Sequence, residues 1–314
     1  MFVSVIIPTY NRKLCLFQAV DSVLAQTVPV EEIIVVDDGS TDGTFEAVCA
    51  RYGALVKAIR QDNSGASAAR NRGLREARGE WIALLDSDDV WLPMKIERQL
   101  EALARFGGKS GLCFTDNIFI GDPNMTRSVF EATGFVGGGG IGILEEPAKY
   151  ILTKTEPFYT SSCLIRHSLI RESGGFDKSL IIREDTDLFF RICFRTKLCY
   201  VAEKLVQIDR TPSREVGLCN LYATRDDQKH DSLVNLYSKW LAMPEVAGTG
   251  YEQPVRELLR LAYYNSAEDK LRQLRIGPAL SAISRLRDIE SGYASIAGTF
   301  FLRKIQKLRR HIGD

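Results

Sequence analysis

The sequence predicts an α/β fold, a doubly wound and mostly parallel sheet, followed by a helical C-terminal region. Three observations predict it. Short apolar runs alternate with segments of helical periodicity four times within about 105 residues, the pattern of βαβ units. Two of these runs end in clustered acids, Ile33-Ile34-Val35-Val36-Asp37-Asp38-Gly39-Ser40 and Trp81-Ile82-Ala83-Leu84-Leu85-Asp86-Ser87-Asp88-Asp89. Strand signals end near residue 220, and helical patterns take over.

The first strand is the apolar run over residues 2–7, which Pro8 ends. Asn11 is placed to cap a helix over about 12–25, where Leu14, Phe17, Val20 and Leu24 recur at helical spacing. Residues 32–36 read as the second strand, Asp37 to Asp42 as a turn, Thr44 to Tyr52 as a helix and 54–60 as the third strand. Ser64 and Gly65 open an alanine-rich helix to about Arg78, stopped by Gly79. Residues 80–85 are the fourth strand. Pro93 stands near the start of the next helix, Gly107-Gly108 lie past its end, and 111–120 read as another strand.

Residues 121–160 are punctuated by Gly and Pro, with four glycines at 137–140, and read as a mobile loop or a pair of short strands. Residues 161–208 return to apolar segments around Arg183-Glu184-Asp185-Thr186-Asp187. Leu188, Phe189, Ile192 and Cys193 follow at helical spacing, which puts these acids at a helix N-terminus, where the macrodipole favours them. Helices over about 222–241, 253–273, 277–289 and 293–310 make up the C-terminal region. The domain boundary is placed between 1–215 and 216–314.

The bulk composition is that of a soluble globular chain: 314 residues, 45% hydrophobic and 26% charged. A formal net charge of +1 leaves any electrostatic partner to local clusters, and no nucleic-acid partner is read from them. Seven cysteines without a C-x-x-C pair indicate reduced thiols rather than a zinc or disulfide framework. The chain enters a strand at once, without the charged and cleavable pattern of a signal peptide. It has no apolar run of about 18 residues, so a cytoplasmic location is expected. Gly137 to Gly142 satisfies G-x-G-x-x-G outside any strand–turn–helix context and is not read as a dinucleotide site.

Carboxylates at the ends of buried strands cost free energy unless donors or a cation meet them. In an open α/β sheet that edge is also where ligands bind. The two acidic turns therefore point to a metal-bound phosphate compound. The motifs sharpen this. Ser4-Val5-Ile6-Ile7-Pro8-Thr9-Tyr10-Asn11-Arg12, the Asp37-Asp38-Gly39-Ser40-Thr41-Asp42 turn, Ala69-Arg70-Asn71-Arg72-Gly73 and Asp86-Ser87-Asp88-Asp89 occur in this order, followed by Gly174-Gly175-Phe176-Asp177 and Glu184-Asp185. Over residues 2–210 the chain resembles the inverting family 2 glycosyltransferases with the GT-A fold, of the bacterial cell-surface polysaccharide type.

The resemblance implies roles residue by residue. Pro8, Thr9, Tyr10 and Asp38 would hold the nucleoside of a nucleotide-sugar donor, most commonly a UDP-sugar, with Arg12 beside them. Asp86-Ser87-Asp88 matches the D-x-D motif. Asp88 would be the principal ligand of a divalent cation (Mg2+ or Mn2+) that neutralises the leaving diphosphate. Asp89 is a second candidate ligand, and Asp86 would contact the ribose or the cation's water shell. Arg70 would pair with Asp86 or the diphosphate, its planar fork suiting either. Asp185 matches the catalytic base and Glu184 an acceptor contact, while Asp187 is the competing base on sequence alone. Phe176 is open between stacking on a sugar and packing in the core. Many relatives carry a histidine after the last strand. Val206 to Arg214 holds none here, and Arg210 or Arg214 is the candidate to contact the phosphates in its place.

The acceptor implied is a saccharide or a lipid-linked saccharide. Tyr293, Ile296, Phe300, Phe301, Ile305 and Leu308 line one side of the last helix, and Arg303, Lys304, Lys307, Arg309 and Arg310 crowd its end. That pattern suits either peripheral contact with the inner face of an anionic membrane or packing on the protein. Two other functions use the same scaffold: a sugar-phosphate nucleotidyltransferase and a non-catalytic glycan- or nucleotide-binding protein. The first would carry a Gly-rich basic loop after the first strand, which Pro8 to Arg12 is not.

Overall fold

A computed structural model describes residues 1–211 and 226–289. The chain divides into two compact units, Met1–Leu221 and Tyr222–Asp314.

In the first unit the order is β1 (Val3–Thr9), α1 (Lys13–Leu24), β2 (Glu32–Asp37), α2 (Thr44–Tyr52), β3 (Lys57–Arg60), α3 (Ala66–Glu76), β4 (Trp81–Leu84), β5 (Val90–Trp91) and α4 (Lys95–Arg105). It continues with β6 (Ser110–Ile120), α5 (Val129–Thr133), β7 (Ile141–Leu144), α6 (Pro147–Leu152), β8 (Cys163–Arg166), α7 (His167–Glu172), α8 (Glu184–Cys193) and β9 (Lys197–Asp209). The strands form one sheet in the order β3-β2-β1-β4-β8-β6-β9-β5, with β7 also on β9. The sheet is parallel across β3, β2, β1 and β4. β8 then enters antiparallel between β4 and β6, and β6 pairs parallel with β9.

β1, β2 and β4 are buried at every position, which is why they read as continuous apolar runs rather than alternating ones. Val5 and Ile7 of β1 join Leu16 and Val20 of α1 in the main core. Ile34, Val36 and Ala69 close the other face. Gly73 lets α3 approach β1, because a Cβ there would sit 2.4 Å from Ile6 Cγ2. β3 is the edge, and its Lys57 and Arg60 are exposed there, charges that discourage further strand pairing.

The structure departs from the sequence reading in three places. Asn11 does not cap α1, which starts at Lys13 behind Arg12. Asn11 instead adopts φ 50° and takes the Thr41 N–H on its Oδ1 at 2.7 Å. It thereby ties the end of β1 to the first acidic turn. The third strand starts at Lys57, after a short 3-10 turn over Gly53–Leu55. Residues 121–160 hold two short helices and one strand instead of a loop or strand pair. Their signals are local: Ser128 and Glu131 form a capping box on α5, and Pro147 opens α6. The glycine run packs on Tyr200, whose hydroxyl accepts the Gly138 N–H at 2.9 Å.

In the second unit, α9 (Asp226–Leu241), α10 (Glu252–Arg272) and α11 (Ile276–Ile289) follow in sequence. His230 pairs with Asp269, and Asp231 accepts from both Lys270 and Ser266, so polar contacts lock α9 to α10. No described helix is long and apolar enough to cross a membrane. Cys219, Arg214 and the basic helix expected over 293–310 lie outside the described residues. Among the described residues the cysteines are all unpaired.

Candidate active site

The ends of β1, β2 and β4 meet because their register is parallel: Thr9 faces Asp37 and Ile6 faces Leu84. Asp38 donates its N–H to the Thr9 carbonyl at 2.9 Å. Its carboxylate accepts from Gln61 Nε2 and the Ser64 N–H on Oδ1 (2.8 and 2.9 Å), and from the Gly65 N–H on Oδ2 (2.7 Å). Three of about four acceptor positions are thus filled, leaving room for one more donor. Pro8 and Thr9 are buried beside it, and Tyr10 is 37% exposed at the strand end. Asp37, the last residue of β2, accepts the Ser40 N–H at 2.9 Å and so braces the turn.

The second acidic turn leaves β4. Asp86 Oδ1 receives Arg70 Nη2 at 2.7 Å, and Asp88 Oδ2 receives Arg12 Nη1 at 2.7 Å. Ser87 is buried between them. Burial pushes the Asp88 carboxyl above its ordinary value, Arg12 opposes this, and the Asp86 charge adds to it. Asp89 is only 5% exposed. Its Oδ2 accepts from Ser161 Oγ and its Oδ1 from the Asp209 N–H. Burial, then Asp86, then Asp88, raise its carboxyl well above the usual range.

α8 supplies the other acids. Glu184 Oε1 receives Arg70 Nη1 at 2.9 Å, and its carboxyl is raised by burial and by Asp185 against the pull of Arg70. Asp185 Oδ1 accepts the Thr186 N–H at 2.7 Å and Oδ2 accepts Thr160 Oγ1 at 3.0 Å. Asp187, the rival base, is fully buried and paired with Arg191 at 2.6 Å. Arg191 also donates to the Ser173 and Gly175 carbonyls. Asp187 is therefore a structural anchor.

One guanidinium joins the two acid sets. Arg70 is 2% exposed and spans Asp86 and Glu184 with its two terminal nitrogens. Burial alone would lower its pKa, but the two carboxylates overcome this and hold it well above the arginine value. Its Cζ stands 5.3 Å from the centroid of the Phe176 ring. Phe176 is buried, so it is core and does not face a sugar. Asn71 clamps that turn, donating to the Phe176 carbonyl and accepting its N–H. Glu156, absent from the motifs, pairs with Arg183 at 2.6 Å just before Glu184.

Asp86 and Asp88 fit a divalent cation. Each ion pair uses one oxygen of the carboxylate, and burial together with the Asp86 charge raises the Asp88 carboxyl. Among the described residues no cluster of three acidic, His or Cys side chains forms a ready metal cage. A hard cation on a diphosphate needs only one or two protein carboxylates, because phosphates and water supply the rest. Asp89 does not fit the ligand role expected of it. Both its oxygens face protein donors, and it braces the turn from behind. Lys95, Gln99, Thr160 and Ser161, which hold this arrangement together, belong to no motif and left no signal in the sequence.

A sheet with four parallel strands at one end, gathering acids at the strand ends, has the GT-A glycosyltransferase fold. It is similar to that of S. aureus TarS 1–349 in complex with UDP-GlcNAc (TM-score 0.68, 17% identity, covering 92% of this chain and 81% of that one). It is also similar to the mannosyltransferase PcManGT from Pyrobaculum calidifontis in complex with GDP-Man and Mn2+ (TM-score 0.57, 19% identity, 98% and 80%). Residues 4–173, more than half of the chain, match glycosyl transferase family 2, and the chain belongs to that family. Relatives include an uncharacterized glycosyltransferase of Rickettsia felis (31% identical over 191 residues, 60% of this chain and 31% of that protein). Another is the Escherichia coli UDP-Glc:alpha-D-GlcNAc-diphosphoundecaprenol beta-1,3-glucosyltransferase WfaP (41% over 99 residues, 31% and 39%). The chain spans between 31% and 42% of the length of the first curated relatives it matches.

Proposed function

We propose that this chain is an inverting glycosyltransferase of cell-surface polysaccharide synthesis, moving a sugar from a UDP-sugar to a saccharide or lipid-linked saccharide. The observation that carries the reading is the Arg70 fork, which draws Asp86 and Glu184 together from positions 98 residues apart in the chain (184 − 86). The UDP-GlcNAc bound to TarS and the UDP-Glc donor and diphosphoundecaprenol-linked acceptor of WfaP support a uridine donor and a lipid-linked saccharide acceptor.

Pro8, Thr9, Tyr10 and Asp38 receive the nucleoside, and Arg12 and Arg70 border the diphosphate. Asp88 and Asp86 would hold a divalent cation, Mg2+ or Mn2+, which supplies charge neutralisation to the departing diphosphate when bound. Asp185 accepts the proton of the acceptor hydroxyl as that oxygen attacks the anomeric carbon from the face opposite the diphosphate. The bond to the diphosphate breaks as the new glycosidic bond forms, and the anomeric configuration inverts. Glu184, held by Arg70, stays beside the base and orients the acceptor.

The test is a donor screen with UDP- and GDP-sugars against glycan and polyprenyl-diphosphate-linked acceptors. Released nucleotide and product anomer are read by chromatography and NMR. UDP release, an inverted linkage and loss of turnover in EDTA are expected. Asp88→Ala should lose cation-dependent UDP binding. Asp185→Asn should keep UDP binding and lose transfer by about 10²- to 10⁴-fold. Pyrophosphate release, a retained configuration or full transfer by Asp185→Asn would overturn the reading.

A further inference from the structure

Thr160 and Ser161 stand side by side in a 3-10 turn over Thr160–Ser162 and are 3% and 1% exposed. They touch opposite halves of the site. Thr160 Oγ1 donates to Asp185 Oδ2 at 3.0 Å. Ser161 Oγ accepts the Asp86 N–H at 3.1 Å and donates to the Asp89 carboxylate. We infer that these two residues are a positioning bracket that holds the Asp185 carboxylate at a set place relative to the Asp86–Asp89 turn. The inference rests on Asp185 being the base.

The chemistry of the contacts supports the assignment. The Thr186 N–H and hydroxyl on Oδ1 and Thr160 on Oδ2 fix the plane of the Asp185 carboxylate, and the second lone pair of Oδ2 stays available to an acceptor hydroxyl. Catalysis is sensitive to such placement, since a displacement of about 1 Å can cost about 10²-fold in rate. Ser161 ties the turn in two ways, through the backbone of Asp86 and through Asp89.

The bracket is itself anchored from below. Trp91 Nε1 donates to the Ser161 carbonyl at 2.9 Å, and Gln99 Nε2 donates to the Ser162 carbonyl at 2.8 Å and the Cys113 carbonyl at 2.9 Å. Lys95, fully buried, donates to Gln99 Oε1 at 2.8 Å and lies 4.0 Å from the Trp91 ring centroid. Trp91, Lys95 and Gln99 all follow the acidic turn directly in the chain. The bracket is therefore joined to the donor side at several points, and Thr160 carries its contact to α8.

The experiment compares Thr160→Val, Thr160→Ser and Ser161→Ala in the full chain. UDP binding with Mn2+ is measured by calorimetry, steady-state transfer is measured with the UDP-sugar found in the screen, and the Thr160→Val variant is crystallised. Thr160→Val should lower kcat by about 10- to 100-fold with donor KM and UDP affinity within about twofold. Thr160→Ser, which restores the hydroxyl, should recover to within about threefold of wild type. Ser161→Ala should show the opposite split, with UDP affinity weakened about 5- to 10-fold. In the Thr160→Val crystal the Asp185 carboxylate should leave its place.

A wild-type kcat in Thr160→Val, or an unmoved carboxylate in its crystal, overturns the bracket even where Asp185→Asn is inactive. An equal loss in Thr160→Ser does the same. Full transfer by Asp185→Asn instead removes the base assignment. The crystal readout holds whether or not a donor is turned over.

Discussion

The two acid sets of the site are held by different means. On the donor side, Asp37 ends one buried strand with Asp38 just after it, and Asp86 to Asp89 follow another. Asp37 and Asp38 are met largely by backbone N–H groups of nearby turns. On the acceptor side, Glu184 and Asp185 start a helix and are met by side chains from far along the chain, Arg70 and Thr160. Parallel neighbours with every residue buried place Asp37 and Asp38 through the sheet itself, whereas Asp86, Asp88 and Asp89 also take side-chain contacts from Arg70, Arg12 and Ser161. The acceptor acids depend on a few long-range polar contacts made where β8 breaks the parallel order. The Asp37–Asp38 turn should therefore tolerate loss of a single side-chain contact better than Glu184 and Asp185.

Arg70→Met is the strongest way to break this contrast, because Arg70 serves both sides. It leaves two carboxylates without their partner. Removing one member of a buried ion pair costs about 3–5 kcal/mol. Urea unfolding should show a loss of that order, and transfer should fall with it. Arg70→Met combined with Glu184→Gln should regain part of the stability. A loss under about 1 kcal/mol would mean that the fork does not hold the halves together.

Gly73→Ala probes the donor-side sheet alone. The new Cβ would collide with Ile6, whose branched side chain cannot swing away, and overpacking of this kind costs about 1–3 kcal/mol. Thermal unfolding checks the size of the effect. If the variant is as stable as wild type, α3 has slack against β1, and the donor side is less rigid than the comparison holds.

The smallest effect concerns the floor under the bracket. Burial pushes Lys95 down to about 7 from an ordinary 10.5. Between those values the unfolded chain binds one more proton than the folded chain, so stability rises with pH. The gain is at most about 1.4 kcal/mol per pH unit. The penalty for charging Lys95 is fully present below about 7. Lys95→Met should flatten this rise, whatever its absolute stability. Denaturant curves at pH 7 and pH 9 for both proteins test it, and equal slopes would show that Lys95 keeps its proton in the fold.

Much of the donor side was legible in the sequence. A buried parallel strand must be a continuous apolar run, and a polar turn must follow it, so both acidic turns stood out. The Glu184-Asp185 pair was legible through the family resemblance, since a helix start by itself equally accounts for acids there. Phe176 and Asp187 were not decided there, since the same letters serve a sugar-facing ring or a core ring, a base or an anchor. Asp89 looked like a ligand because it adjoins Asp88. Only the fold shows its oxygens turned to Ser161 and Asp209.

The sequence by itself determined the strand and helix order, the acidic turns and the family resemblance, because periodicity and turn chemistry act between neighbours in the chain. Tertiary structure alone decided that Arg70 is buried between two acids and that Asp187 is an anchor. It also decided that Thr160 and Ser161 grip both halves of the site. Arg70 and Glu184 lie 114 residues apart. A hydrogen bond between such distant residues imposes no local spacing, so nothing short of the packed sheet and its crossing helices can specify it.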